Sequence, residues 1–243
     1  MQYCQRDYPK TRGYDKNFPL ILGLTSHAKS GKDTGAYDLI EFLRSDGIDA
    51  KKIAFADPIR KIGTIFGFTS QQMSDQNLKE TFCNPNFPLV TPRKFMQLVG
   101  SEMFRNNLDK DCWVKVARVT LDREIEAAKS FLDGFVDLYP DDGKIYPNSV
   151  IIISDVRFPN EVEMIRLVGG KIVKISRPSL TTGTAGWMKH ESEKYIDQIE
   201  ADISIVNDDP SASAWGKHFT AEIISHFTHS TPAYVFKHIH AGK

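Results

Sequence analysis

A chain of 243 residues, 41% apolar and 26% charged, has the composition of a globular protein able to bury a sizeable core. Its basic and acidic side chains balance at 31 each, so no net field draws it to DNA, RNA or anionic lipid, and any polyanion must be held by a few aimed groups. Cys4, Cys83 and Cys112 form neither a disulfide framework nor a zinc pattern, no apolar run reaches the roughly 18 residues of a membrane span, and the N-terminus lacks a signal-peptide core, which together predict a cytoplasmic, reduced protein.

Residues 1–18 are polar and aperiodic and read as an extension ahead of a single domain over 19–228, with 229–243 as a tail. The run Pro19–Thr25 is apolar on both faces, as a buried parallel strand is. After a polar loop, Ala36, Leu39, Ile40 and Leu43 recur at helical spacing and Gly47 stops the helix. Lys51–Ala56 reads as a second strand, with Asp57 as N-cap and Pro58 as first-turn proline of a helix ending near Gly67. Residues 68–91 are proline-punctuated and without period, the mark of a lid or binding loop. A helical part over 92–130 follows, its apolar stripes being Phe95, Leu98, Val99 and Met103, then Val114, Ala117, Leu121, Ile125 and Ala128.

Asp133–Ser149 reads as an exposed connection leading to Val150–Ser154, the most apolar strand, which ends in Asp155. A helix over Asn160–Val168, strands Lys171–Ser176 and Asp202–Asn207, and a last helix with Trp215, Phe219, Ile223 and Phe227 on one face complete the chain. Strands separated by helices predict the α/β class: a parallel β-sheet of about five strands flanked by helices, with ligands at the strands' carboxyl ends.

Ser26–Thr34 (SHAKSGKDT) lies between a buried strand and an amphipathic helix, the context a phosphate loop requires. Small residues let the backbone amides of Lys29, Ser30 and Gly31 converge on an anion, the helix N-terminus adds its positive end, and Lys32 would neutralise β- and γ-phosphate charge. The match to G-x-x-x-x-G-K-[ST] departs at two places: Ser26 replaces the first glycine, and Asp33 takes the hydroxyl position, with Thr34 one place later. Thr34 can reach a magnesium shell or a phosphate oxygen; Asp33 either binds metal-bound water or complements the helix dipole.

Several blocks together resemble the phage deoxynucleoside monophosphate kinases, a branch of the P-loop nucleoside monophosphate kinases. They are S-G-K-D-T (Ser30–Thr34), F-A-D-P-I-R (Phe55–Arg60), the long block Arg93–Ala117, D-x-R (Asp155, Arg157), R-P (Arg177, Pro178) and a terminal block similar to V-x-N-D (Val206–Asp208). The resemblance implies a P-loop kinase fold with a lid and acceptor-binding insertion. It also implies ATP and Mg²⁺ as cosubstrates, a deoxynucleoside monophosphate as acceptor, a role in DNA precursor supply in host cytoplasm, and a homodimer.

Phosphoryl transfer between two polyanions needs cations more than a base, and arginine forks hold phosphate oxygens bidentately. Arg60 with Ile59, Arg93 (or Lys94 if the register slips by one), Arg157 and more weakly Arg118 are the candidates. Asp155 stands where a Walker B carboxylate would, to hold Mg²⁺ through water, to order an acceptor hydroxyl, or to cap the next loop. Gly100 and Ser101 in mid-helix suggest close approach by a ligand or a neighbour, and Trp113 lines the same pocket or the core. Asn160 and Glu161 read the base edge or cap their helix; Asn207 and Asp208 cradle adenine or form a turn. The rival readings are a kinase of another phosphorylated acceptor, of the dephospho-coenzyme A type, and a nucleotide-binding module without turnover.

Overall fold

Alternation along the strands builds two cores from one sheet. The computed structural model describes residues 19–75, 77–138, 149–180 and 194–230. The expected extension (1–18), residues 139–148 of the connection, His190–Glu193 and the tail from 231 lie outside these. The strands are β1 (Leu20–Ser26), β2 (Asp49–Ile53), β3 (Ser149–Val156), β4 (Lys171–Ser176) and β5 (Ile203–Val206). They form one parallel sheet in the order β2-β3-β1-β4-β5. The expected α/β class and five-stranded sheet are what the chain adopts.

Successive side chains leave a strand on opposite faces. Leu20, Leu22 and Leu24 therefore pack with Val150, Ile152, Val173 and Ile175 under α1 (Lys32–Ser45) and α7 (Ala212–Ser230). Ile21, Ile151, Ile153 and Ile172 face the other way, under α5 (Cys112–Leu138) and α6 (Pro159–Leu167). The α7 stripe expected from the sequence, Trp215, Phe219, Ile223 and Phe227, is buried throughout, each side chain contributing roughly 1.5–3 kcal/mol.

A third core lies beside the sheet. It joins Ile59 of α2 (Asp57–Ile65), Met73 of α3 (Ser70–Ser74), Phe95 of α4 (Pro92–Gln97), and Cys112 and Trp113 of α5. The aperiodic stretch 68–91 is thus more structured than its sequence signals. Phe68 and Met73 are buried, Thr69 and Gln72 form a capping box on α3, and a 3₁₀ turn spans Leu78–Glu80.

Three local expectations are corrected. β2 ends at Ile53 rather than Ala56, because carboxylates capture the amides that would continue the ladder. Asp57 Oδ2 accepts from the Ala54 amide at 2.8 Å, and Asp155 accepts from the Phe55 and Ala56 amides at 2.7 and 3.0 Å. Asp57 is accordingly the first residue of α2, whose N-cap is Ala56. Beyond Gln97, α4 continues as a π-helix over Leu98–Arg105, where the wider i→i+5 turn shifts the stripe and leaves Met103 59% exposed. On the sheet's outer edge, Lys51 of β2 donates to Glu124 of α5 at 2.8 Å.

Candidate active site

The loop between β1 and α1 is shaped by two left-handed residues, Lys29 (φ +65°) and Gly31 (φ +89°). Asn207 Nδ2 donates to the Ser30 carbonyl at 2.9 Å and Trp215 Nε1 to the Gly31 carbonyl at 2.8 Å. With those carbonyls bonded from below, the loop forms an amide nest of the kind that binds anions. Gly31 is required for space as well as for φ: a Cβ would stand 2.5 Å from Asn207 Nδ2 and 2.6 Å from Trp215 Nε1. At the loop's other end, His27 Nε2 lies 2.8 Å from Asp197 Oδ1.

A cleft of about 1030 Å³ opens over this loop. Lys32 reaches into it with its Nζ 3.2 Å from Asp33 Oδ2, and Asp33 Oδ1 is 3.3 Å from Lys52 Nζ. Burial pulls the Lys32 ammonium below its ordinary value, against the opposing pull of Asp33 and Asp155. Burial pushes the Asp33 carboxyl up, but Lys32 and Lys52 outweigh it and hold the group below the usual carboxylate range. Asp155 lies close enough to Lys32 to interact with it while both its oxygens accept main-chain amides. The carboxylate that ends β3 is therefore also the clamp on the segment leading into α2.

The opposite wall comes from the helical part. Ile59 and Arg60 of α2, Lys79 and Glu80 of the 3₁₀ turn, Arg93 of α4, and Arg157 and Arg177 after β3 and β4 all border the cleft. Arg60 Nη1 donates to Asp57 at 2.7 Å, and Arg93 Nε pairs with Glu80. Arg60 Nε and Arg177 Nε are buried with no hydrogen-bond partner among the described residues. Burial and the nearby Arg60 and Arg93 pull the Lys79 ammonium down to about 8.

Most of the residues singled out from the sequence meet here. Lys29, Ser30, Gly31, Lys32, Asp33, Thr34, Ile59, Arg60, Arg93, Gly100, Ser101, Trp113, Asp155, Arg157 and Glu161 all line the cleft. Lys94, Asn160 and Asn207 do not. Lys94 points to Glu102, Asn160 to Asp111 at 2.7 Å, and Asn207 supports the loop from underneath. Arg118 pairs with Asp122 along α5. The neighbour that approaches position 100 is Ile59, whose Cδ1 would lie 2.9 Å from a Cβ there. Trp113 serves both readings: it is buried in the third core, borders the cleft, and donates to the Gly100 carbonyl at 2.7 Å.

Glu161 is a cap first. Its Oε2 accepts from the amides of Arg157 (2.7 Å) and Phe158 (3.1 Å), and its Oε1 from Arg105 Nη2 (3.1 Å). Burial and then Asp155 push its carboxyl up to about 7, against these donors. Sequence reasoning missed Lys79, Arg105, Phe158 and Arg177 as lining residues. Two of these had a signal: Arg177 stands in the R-P block and Arg105 within the long block Arg93–Ala117.

A family model described as deoxynucleotide monophosphate kinase matches residues 64–218. A protein of Acanthamoeba polyphaga mimivirus, named as a candidate deoxynucleotide monophosphate kinase, is 34% identical over 191 residues, which are 77% of this chain and 88% of the relative. The matched family span begins after the phosphate loop, so the reading of that loop stands on its own geometry.

Proposed function

The chain belongs to the deoxynucleotide monophosphate kinase family, and from that premise we propose that it transfers the γ-phosphoryl group of ATP to the phosphate of a deoxynucleoside monophosphate. An acceptor phosphate oxygen forms the new bond to the γ-phosphorus while the bond to the β-phosphate oxygen breaks, giving a deoxynucleoside diphosphate and ADP. Supply of DNA precursors is the corresponding role. The carrying observation is a cleft with an amide nest on one wall and, lining it, cations from α2, the 3₁₀ turn, α4 and the segments after β3 and β4.

Each part has a task in this reaction. The nest and Lys32 hold the β- and γ-phosphates; Arg60, Lys79 and Arg93 offset the charge of the second phosphate; Arg157 lies near Lys32. No strong base is needed, because the acceptor oxygen is already anionic. The cations matter because unit charges of like sign ~4 Å apart repel by several kcal/mol at an effective dielectric near 20. The oxygen donors of Thr34, Asp33 and Asp155, with Asp33 kept anionic by its lysines, fit a hard cation. They would hold Mg²⁺ directly or through water, and the ion when bound would neutralise charge on the β- and γ-phosphates. Among the described residues no helix is long and apolar enough to cross a membrane.

The test is ADP release from ATP in the presence of each of dGMP, dTMP, dCMP and dAMP. The proposal expects at least one to accelerate release well above the ATP-only rate; if none does, the proposal fails.

A further inference from the structure

Resting on the kinase reading above, we infer that Glu161 is a positioning residue for phosphoryl transfer: it sets where Arg157 stands by gripping that residue's turn and tying it, through Arg105, to the acceptor wall. The turn between β3 and α6 is short, and it carries the cation that lies near Lys32. A long, rotamer-rich side chain delivers its charge to one point only where its backbone is held.

Glu161 supplies that hold. Its Oε2 accepts from the Arg157 amide at 2.7 Å and the Phe158 amide at 3.1 Å, and its Oε1 accepts from Arg105 Nη2 at 3.1 Å. Those bonds use three of the roughly four lone-pair sites of a carboxylate, so the group is committed to the protein rather than to a substrate. Arg105 ends the π-helix, and its guanidinium carbon lies 3.6 Å from the centroid of the Phe158 ring. One arginine thus holds the turn twice, by charge at Glu161 and by stacking on Phe158. A second tie runs beside it, from Asn160 Nδ2 to Asp111 Oδ1 at 2.7 Å, at the entry to α5.

This ion pair is built differently from its neighbours. Arg105 and Glu161 side chains are 12% and 3% exposed, whereas Arg60–Asp57, Arg93–Glu80 and Lys94–Glu102 reach solvent. Burying a charge pair costs desolvation, so the pair is weak evidence for stability. What its fixed geometry gives is position. A cap on α6 needs only the two amides and not Arg105. The helices of the third core pack chiefly on one another and on α5. Their placement against the sheet therefore depends on ties such as this one and the Asp155 clamp on the entry to α2.

The experiment measures kcat and both KM values for Glu161→Gln, Arg157→Ala and the double variant, using ATP and the monophosphate that the wild type turns over fastest. A glutamine amide accepts on one side only, so it cannot serve the two amides and Arg105 together. Glu161→Gln is expected to lower kcat about tenfold to a hundredfold, the scale of an ångström's misplacement, with KM for ATP within about twofold of wild type. In the Arg157→Ala background the same change should lower kcat by less than about threefold, because the group it places is gone. Arg105→Met, which leaves the α6 cap intact, should behave as Glu161→Gln does in both backgrounds. If Glu161→Gln does not fold, the Arg105→Met cycle decides alone; if Arg157→Ala turns over too slowly to measure, Arg157→Lys takes its place. Additive losses in either cycle, or an unchanged kcat, overturn the inference and leave the kinase reading standing. A wild type inactive toward every monophosphate overturns both.

Discussion

The two walls of the cleft are held by different kinds of bond. On the phosphate-loop side, neutral donors buried in the sheet core fix main-chain carbonyls: Asn207 on Ser30 and Trp215 on Gly31. On the acceptor side, charged side chains fix one another near solvent: Arg93 with Glu80, Arg60 with Asp57, Lys94 with Glu102. Buried neutral hydrogen bonds are insensitive to salt, and their loss costs the desolvation of whatever is left unpaired. Exposed ion pairs contribute little each and are screened. The loop wall is preorganised, whereas the acceptor wall is adjustable.

The largest effect that would test this contrast is Lys32→Ala. Transfer should fall by on the order of a thousandfold or more, since a cation at the transferring group is lost. Thermal unfolding should stay near wild type, because Lys32 is held in burial at a cost to its charge. A large loss of stability would mean that the loop wall depends on Lys32 for its shape.

Next in size, Asn207→Ala strands the buried Ser30 carbonyl. Stability should drop by about 1–3 kcal/mol in urea titrations, with KM for ATP rising while KM for the acceptor holds. An equal rise in both would erase the distinction between the walls.

The smallest effect belongs to Lys79, on the acceptor wall. Its folded-state value of about 8 lies below the ordinary 10.5. Between these pH values the unfolded chain binds more protons than the native one, so stability rises with pH across that window. The destabilisation is fully present below about pH 8. Urea midpoints of wild type and Lys79→Met should therefore differ most at neutral pH and converge towards pH 10.5. Parallel curves would show that Lys79 is not shifted.

Much of this was legible in the sequence where the forces are local. β1, β3 and β4 declare themselves because both faces are covered, which leaves runs such as Val150–Ile153 apolar at every position. The phosphate loop is equally plain, since strand, small residues and lysine are contiguous. What escaped depends on partners far along the chain. The premature end of β2 is imposed by Asp155, 100 residues away from Phe55. The π-helix has no signature in a reading that assumes 3.6 residues per turn; Gly100 suggested only a close approach, and Trp113's bond to that carbonyl accompanies the wider turn. Arg105 gains its place from Glu161, 56 positions later, which no local pattern could announce. Lys79 sits in a stretch with no periodicity to orient it.

The outer strand β2 carries one more implication. Among the described residues only β3 pairs with it, so its other side is the sort of open ladder on which foreign chains can grow. Lys51 and Lys52 occupy it, tethered to Glu124 and Asp33. The two ammonium groups leave the strand on opposite faces, and charge on an edge strand discourages edge-to-edge association. Because Lys52 also pairs with Asp33 beside Lys32, substitutions that neutralise this margin should lower both solubility and, on the proposed function, turnover.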